Sequence, residues 1–153
     1  VFEFVNGTSL TKTSSNITDD NDVRIFSYRL LKAVSELHDY GIIHNDLKGA
    51  NILLNHENKK LKLIDFGLSY MYNPQLIRTS TGGTVNYKAP EQLINQGFNH
   101  HFTPAIDVHA TGVLIAHLMY KKFHYLQLTQ FERITAKEAL KHKYFDPIRN
   151  LVE

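Results

Sequence analysis

The 153-residue chain contains no cysteine and no tryptophan, and only two methionines and four prolines. Without cysteine it can form neither a disulfide framework nor a thiolate metal site. No uninterrupted apolar run is long enough to span a bilayer, and the N-terminus has no signal-like character, so an intracellular protein, cytoplasmic or nuclear, is expected. Charge of a single sign is also scarce. The formal net charge of +2, with nine histidines uncounted, gives no reason to expect nucleic acid or a membrane surface as a partner. None of the eight glycines falls into a G-x-G-x-x-G pattern. Methionine is missing from position 1 as well: the chain opens on Val1 and its first methionine is Met71, so a piece of something longer, or a processed product, is expected. What is present is a hydrophobic fraction of 42% and a charged fraction of 21%, the balance of a globular protein with one core.

The pattern along the chain alternates short strands with helices. "VFEFV" (1–5) reads as a buried strand, and the polar stretch 11–21 as a loop. Asp20 or Asp22 can cap a helix whose apolar residues Val23, Phe26, Leu30, Val34 and Leu37 recur three and four apart, and Gly41 can stop it. "LKLIDFGLS" is predicted to be a strand entering a turn. Residues 70–88, rich in Ser, Thr, Gly and Asn, read as a loop with few structural obligations, and "APEQLI" as a short helix. The stretch 105–120 is apolar almost all round, which predicts a buried central helix. "TAKEALKHKYF" predicts an amphipathic closing helix, with Thr135 and Glu138 spaced as a capping box.

The chemistry-bearing stretch is "IIHNDLKGANILLN" (42–55), which sets Asp46, Lys48 and Asn51 within six positions between apolar flanks. Nineteen residues after Asp46 comes a second carboxylate, Asp65, at a strand end before a glycine. An Asn and an Asp that supply oxygens and leave room for water suit Mg²⁺, which takes few protein ligands and shares the rest with phosphate. A nearby lysine can neutralise phosphate charge, and a separate aspartate can orient a hydroxyl. That set suits phosphoryl transfer, which is mostly positioning and charge stabilisation.

"HNDLKGAN", "DFG" and "APE", in that order, resemble the catalytic loop, magnesium loop and activation-segment end of eukaryotic protein kinases. "DVHATG" and "RITAKEALKHKYF" are similar to the family's buried F-helix aspartate region and last helix. Within the family the chain looks most like the casein kinase II catalytic subunit, through "VFEFVNGT", "DYGIIHNDLKGANILLNHENKKLKLIDFGLSYMYNP" and "RITAKEALKHKYF". Phe66, Asn45 and the pair Gly49-Ala50 depart from that sub-family's pattern. The resemblance implies an α+β fold over residues 1–153: a mainly helical C-lobe with hinge and short β hairpins, no N-lobe, and a shortened region after the F helix. It also implies roles. Asp46 would be the catalytic base and Lys48 would hold the transferring phosphate of ATP, pointing to Ser/Thr substrates. Asn51 and Asp65 would bind magnesium. Glu3 and Val5 would meet adenine at the hinge, above Leu53 and Ile64. Thr84 would face the protein substrate, Asp107 would brace the catalytic loop, and Glu91 would pair with Arg133.

Plainer readings cover the remaining polar residues. His44 is expected to be a packed structural histidine. His100, His101, His109, His117 and His124 lack the helical spacing of a zinc motif and read as ordinary surface and helix residues. "ENKKLKL" (57–63) reads as a solvated hairpin. Lacking the glycine-rich loop and the strand lysine, the chain by itself is expected to transfer phosphate very poorly. Two classes therefore stand side by side: a piece of a working Ser/Thr kinase that needs its N-lobe, or a non-catalytic kinase-like module that binds a partner such as a regulatory subunit. Retention of Asp46, Lys48, Asn51 and Asp65 favours the first. The arginine-to-asparagine change at Asn45 and the shortened region favour the second.

Overall fold

The computed structural model describes residues 6–14, 17, 19–55, 60–76, 82–94, 102–120 and 134–152. The stretch 1–5 and the junction after Tyr120 expected to be short lie outside them. A three-stranded antiparallel sheet, in the order β1–β3–β4, joins β1 (Thr8–Ser9), β3 (Ile52–Leu54) and β4 (Leu61–Leu63). A two-stranded ribbon pairs β2 (Ile42–Ile43) with β5 (Tyr70–Met71). The helices are α1 (Leu10–Thr13), α2 (Asp20–Asp39), α3 (Pro90–Ile94), α4 (Ala105–Tyr120), α5 (Ala136–Ala139) and α6 (Arg149–Val152).

Helix α2 organises the core. Val23, Phe26, Leu30 and Val34 point inward as their spacing predicts, and they pack with Leu114 and Leu118 of α4 and with Phe145 and Ile148 of the closing segment. Its N-cap is Asp19 rather than Asp20 or Asp22, with the Asp19 side chain accepting the Asn21 N–H. Gly41, at φ +71°, ends the helix as expected, because that conformation is cheap only without a Cβ. Helix α4 runs over the predicted span and buries Ile106, Asp107, Ala110, Val113 and Leu114.

Three sequence expectations need correction. The stretch 11–21 is not all loop: Leu10 is buried and nucleates the short helix α1, so one apolar anchor outweighs the polar run after it. The closing helix is shorter than predicted. Its capping box forms, but α5 ends at Ala139 and a 3₁₀ segment, Lys143–Ile148, follows because it turns Phe145 and Ile148 into the core. Residues 70–88 do carry structural obligations: β5 pairs with β2, and Val85–Tyr87 forms a 3₁₀ turn.

Candidate active site

The candidate site begins with backbone geometry. After β2 the chain enters an irregular loop, and Asn45 adopts φ +65°, a left-handed conformation that Asn tolerates better than most residues. Asp107, buried at the start of α4, holds this bend. Its Oδ2 accepts the His44 N–H at 2.7 Å and its Oδ1 accepts the Asn45 N–H at 2.9 Å. His38 Nε2 lies 3.0 Å from the same Oδ2, a partner the sequence reading missed. A histidine in the last turn of a helix leading into such a loop was the available signal.

His44 is fully buried, as expected of a packed histidine. The Asp46 N–H donates to its Nδ1 at 3.3 Å, which fixes the tautomer: Nε2 must carry the proton and donate to the Ile64 carbonyl at 3.1 Å. The imidazole thus ties the Asp46 loop to the end of β4. Phe66 packs against it with the ring planes tilted by 47° and the centroids 4.9 Å apart.

The bend delivers Asp46 into a cluster of donors. Lys48 Nζ donates to Asp46 Oδ2 at 2.7 Å, Thr84 Oγ1 donates to Asp46 Oδ1 at 2.9 Å, and Lys48 Nζ also reaches Thr84 Oγ1 at 3.2 Å. Asn51 Nδ2 donates both to the Asp46 carbonyl at 3.0 Å and to its Oδ2 at 3.2 Å. Burial pushes the Asp46 carboxyl up. The hydrogen bonds from Lys48 and Thr84, and the Lys48 charge, outweigh that and hold it below the ordinary carboxylate range. Asp46 is therefore ionised at neutral pH while facing a hydroxyl and an ammonium.

The hairpin places the other residues. Ile52 pairs with Leu63, and the Ile64 N–H donates to the Asn51 carbonyl at 3.0 Å, so Asp65 follows directly on the residue opposite Asn51. Ile52 and Leu54 are buried, while Leu53 and Ile64 are half-buried and share the other face of the hairpin, as strand alternation requires. Asp65 is exposed, has φ +63°, and its Oδ1 accepts the Gly67 N–H at 3.4 Å. A left-handed aspartate is uncommon, and such residues concentrate at functional sites. Glu3, Val5 and Arg133 lie outside the described residues, so the hinge contacts and the Glu91–Arg133 pair fall there too.

Two glycines explain close approaches. A Cβ on Gly49 would come within 2.7 Å of Thr11 Oγ1 and 3.2 Å of the Thr11 nitrogen, so a larger residue here would force Thr11 of α1 to shift. Gly83 has φ +95°, and its Cβ would lie 2.5 Å from the Asn45 carbonyl oxygen. Alanine at 83 combines an unfavourable backbone with a backbone clash, and we expect Gly83→Ala to cost more than about 1 kcal/mol. At Gly82 the nearest atoms are side-chain tips at 3.2–3.3 Å, so Gly82→Ala should cost less. Urea midpoints compare the two, and equal midpoints would refute the close approach.

A family model described as the protein kinase domain matches residues 1–129. The chain belongs to the protein kinase domain family, a kinase class whose chemistry is phosphoryl transfer and whose members generally use ATP and Mg²⁺. No described helix is long and apolar enough to cross a membrane.

Proposed function

We propose that the chain is part of a Ser/Thr protein kinase, similar to the casein kinase II catalytic subunit, that transfers the γ-phosphoryl group of ATP to protein hydroxyls. One observation carries this reading: the Asp46 carboxylate holds a hydroxyl at 2.9 Å while Lys48 sits on both. Asp46 accepts the proton of the attacking hydroxyl and orients its oxygen. Lys48 supplies fixed positive charge where phosphate charge develops. Its presence beside Asp46 supports a Ser/Thr preference. Leu53 and Ile64 would offer an apolar floor to the base, and Glu3 and Val5, which lie outside the described residues, are proposed as its hinge contacts.

The residues also fit a magnesium ion. Both Asn51 amide bonds run from Nδ2 to Asp46, which turns the amide oxygen toward other partners, and exposed Asp65 follows the residue tied to Asn51. Asn51 Oδ1 and the Asp65 carboxylate would hold the ion, which would neutralise phosphate charge. A protein substrate would lie along the segment that carries Thr84, and a regulatory subunit or an N-lobe would complete the assembly. We expect ATP binding that depends on magnesium. Calorimetric titration with Mg²⁺, without it, and with Asp65→Ala is the test; equal affinity in all three would remove the nucleotide site and turn the reading toward a non-catalytic binding module.

A further inference from the structure

Beside the donors around Asp46 lies a second, uncharged network. The Asn45 side-chain amide donates from Nδ2 to the Leu68 carbonyl at 3.2 Å and accepts from Gln92 Nε2 on its Oδ1 at 3.2 Å. Gln92 is buried at 3% exposure on α3, and its Oε1 accepts the Ala89 N–H at 2.9 Å. Asn45 is also the residue against which Gly82 and Gly83 pack. One asparagine thus touches the chain beyond Asp65, the stretch leading to Thr84, and the first turn of α3. Its backbone is fixed to α4 through Asp107.

We propose that Asn45 and Gln92 are positioning residues: a charge-neutral clamp that holds the Thr84 segment against Asp46 and thereby sets how a protein substrate meets the carboxylate. Three features support this. Every bond in the clamp is between neutral amides, so it forms without an added phosphate or an ion. Gln92 spends both ends of its amide within the clamp, one on Asn45 and one on the backbone that precedes α3. The clamp closes around Gly83, whose missing Cβ lets the next residue, Thr84, reach Asp46 at 2.9 Å. An arginine would carry charge where Asn45 sits and has no acceptor for the Gln92 Nε2–H.

The inference rests on the kinase reading and separates from it in the test. In the complete protein, Gln92→Leu removes the clamp while keeping apolar bulk, and Asn45→Ala removes it from the other side. Each should raise KM for a protein substrate about five- to tenfold, the value of one or two modest hydrogen bonds. The Kd for MgATP should stay within about twofold, since Leu53, Ile64, Asn51 and Asp65 are untouched. The double variant should lose less than the two single losses combined, because both remove the same Asn45–Gln92 bond. Hydrogen exchange gives an independent readout: the amides of residues 82–89 should exchange faster in Gln92→Leu while those of α2 do not. Unchanged exchange at 82–89, or additive losses in the double variant, would overturn the clamp. An inactive wild-type protein whose exchange still responds as expected would overturn the kinase reading and leave the clamp standing.

Discussion

Asp46→Asn should lower phosphotransfer by about 10²–10⁴-fold, the range by which a positioned general base contributes. The substitution is nearly isosteric, so the loop should keep its shape. The asparagine oxygen can still accept from Lys48 or Thr84, but it cannot take a proton from the attacking hydroxyl. MgATP affinity should change little, because Asn51 and Asp65 carry the proposed ion. The pH dependence follows from the same contacts. The Lys48 and Thr84 bonds hold the Asp46 carboxyl below its ordinary value, so its proton-accepting form persists as the medium is acidified. Its stabilising contribution is full above the unfolded value of 3.8 and is lost only as pH falls through the lower folded one. The acid limb of the rate profile should therefore not rise toward neutrality on account of Asp46. The measurement is radiometric phosphotransfer by the complete protein and by Asp46→Asn, with Lys48→Met alongside. A variant within about threefold of the wild type would show that Asp46 does not face the reacting hydroxyl.

The sequence made some of this legible and hid the rest for identifiable reasons. Helices α2 and α4 could be read because their apolar residues follow a helical period over many turns, and burial of those residues is what stabilises them. Asp46, Lys48 and Asn51 could be singled out because three strongly solvated side chains between apolar flanks require a reason. The capping box at Thr135 and Glu138 could be read because it is local, but the length of the helix it starts could not. That length is set by Phe145 and Ile148 finding the core, which is a tertiary effect. Asn45 shows the limit most clearly. In sequence it reads as a missing arginine, a loss of charge. In three dimensions it is a left-handed residue with an amide bridging Leu68 and Gln92. Neither partner is near it in the chain, and Gln92, inside "APEQLI", carries no mark of burial beyond its place next to the glutamate. Residues 70–88 read as free loop because, among the described residues, the contacts that tie them to the site are long-range: β5 to β2, and Thr84 to Asp46.

The second large effect is expected at Asp107, and it is one of stability. Asp107→Ala removes the acceptor for two backbone N–H groups, the buried one of His44 and the part-buried one of Asn45; Asp107 itself is 1% exposed. A stranded buried donor costs about 1–3 kcal/mol and a part-buried one less, so a loss of about 2–4 kcal/mol is expected. That is a large share of the roughly 5–15 kcal/mol that holds an ordinary domain together. Asp107→Asn should be milder, because the amide oxygen still accepts one N–H while the amide nitrogen opposes the other. His38→Ala should be milder still, at about 0.5–1.5 kcal/mol, because it removes a single contact from a half-buried side chain and leaves both backbone donors paired. The damage should also be directional. Asp107→Ala removes the α4 contacts to the left-handed bend at Asn45, and that bend is what presents Asp46 to Lys48 and Thr84. Asp107→Asn, if folded, should therefore lose phosphotransfer out of proportion to its loss of stability, whereas His38→Ala should lose little of either. Urea midpoints of the three variants, read beside their rates, decide the matter. The order Asp107→Ala, then Asp107→Asn, then His38→Ala is required, and an Asp107→Ala midpoint matching that of His38→Ala would mean the loop holds its shape without the buried carboxylate.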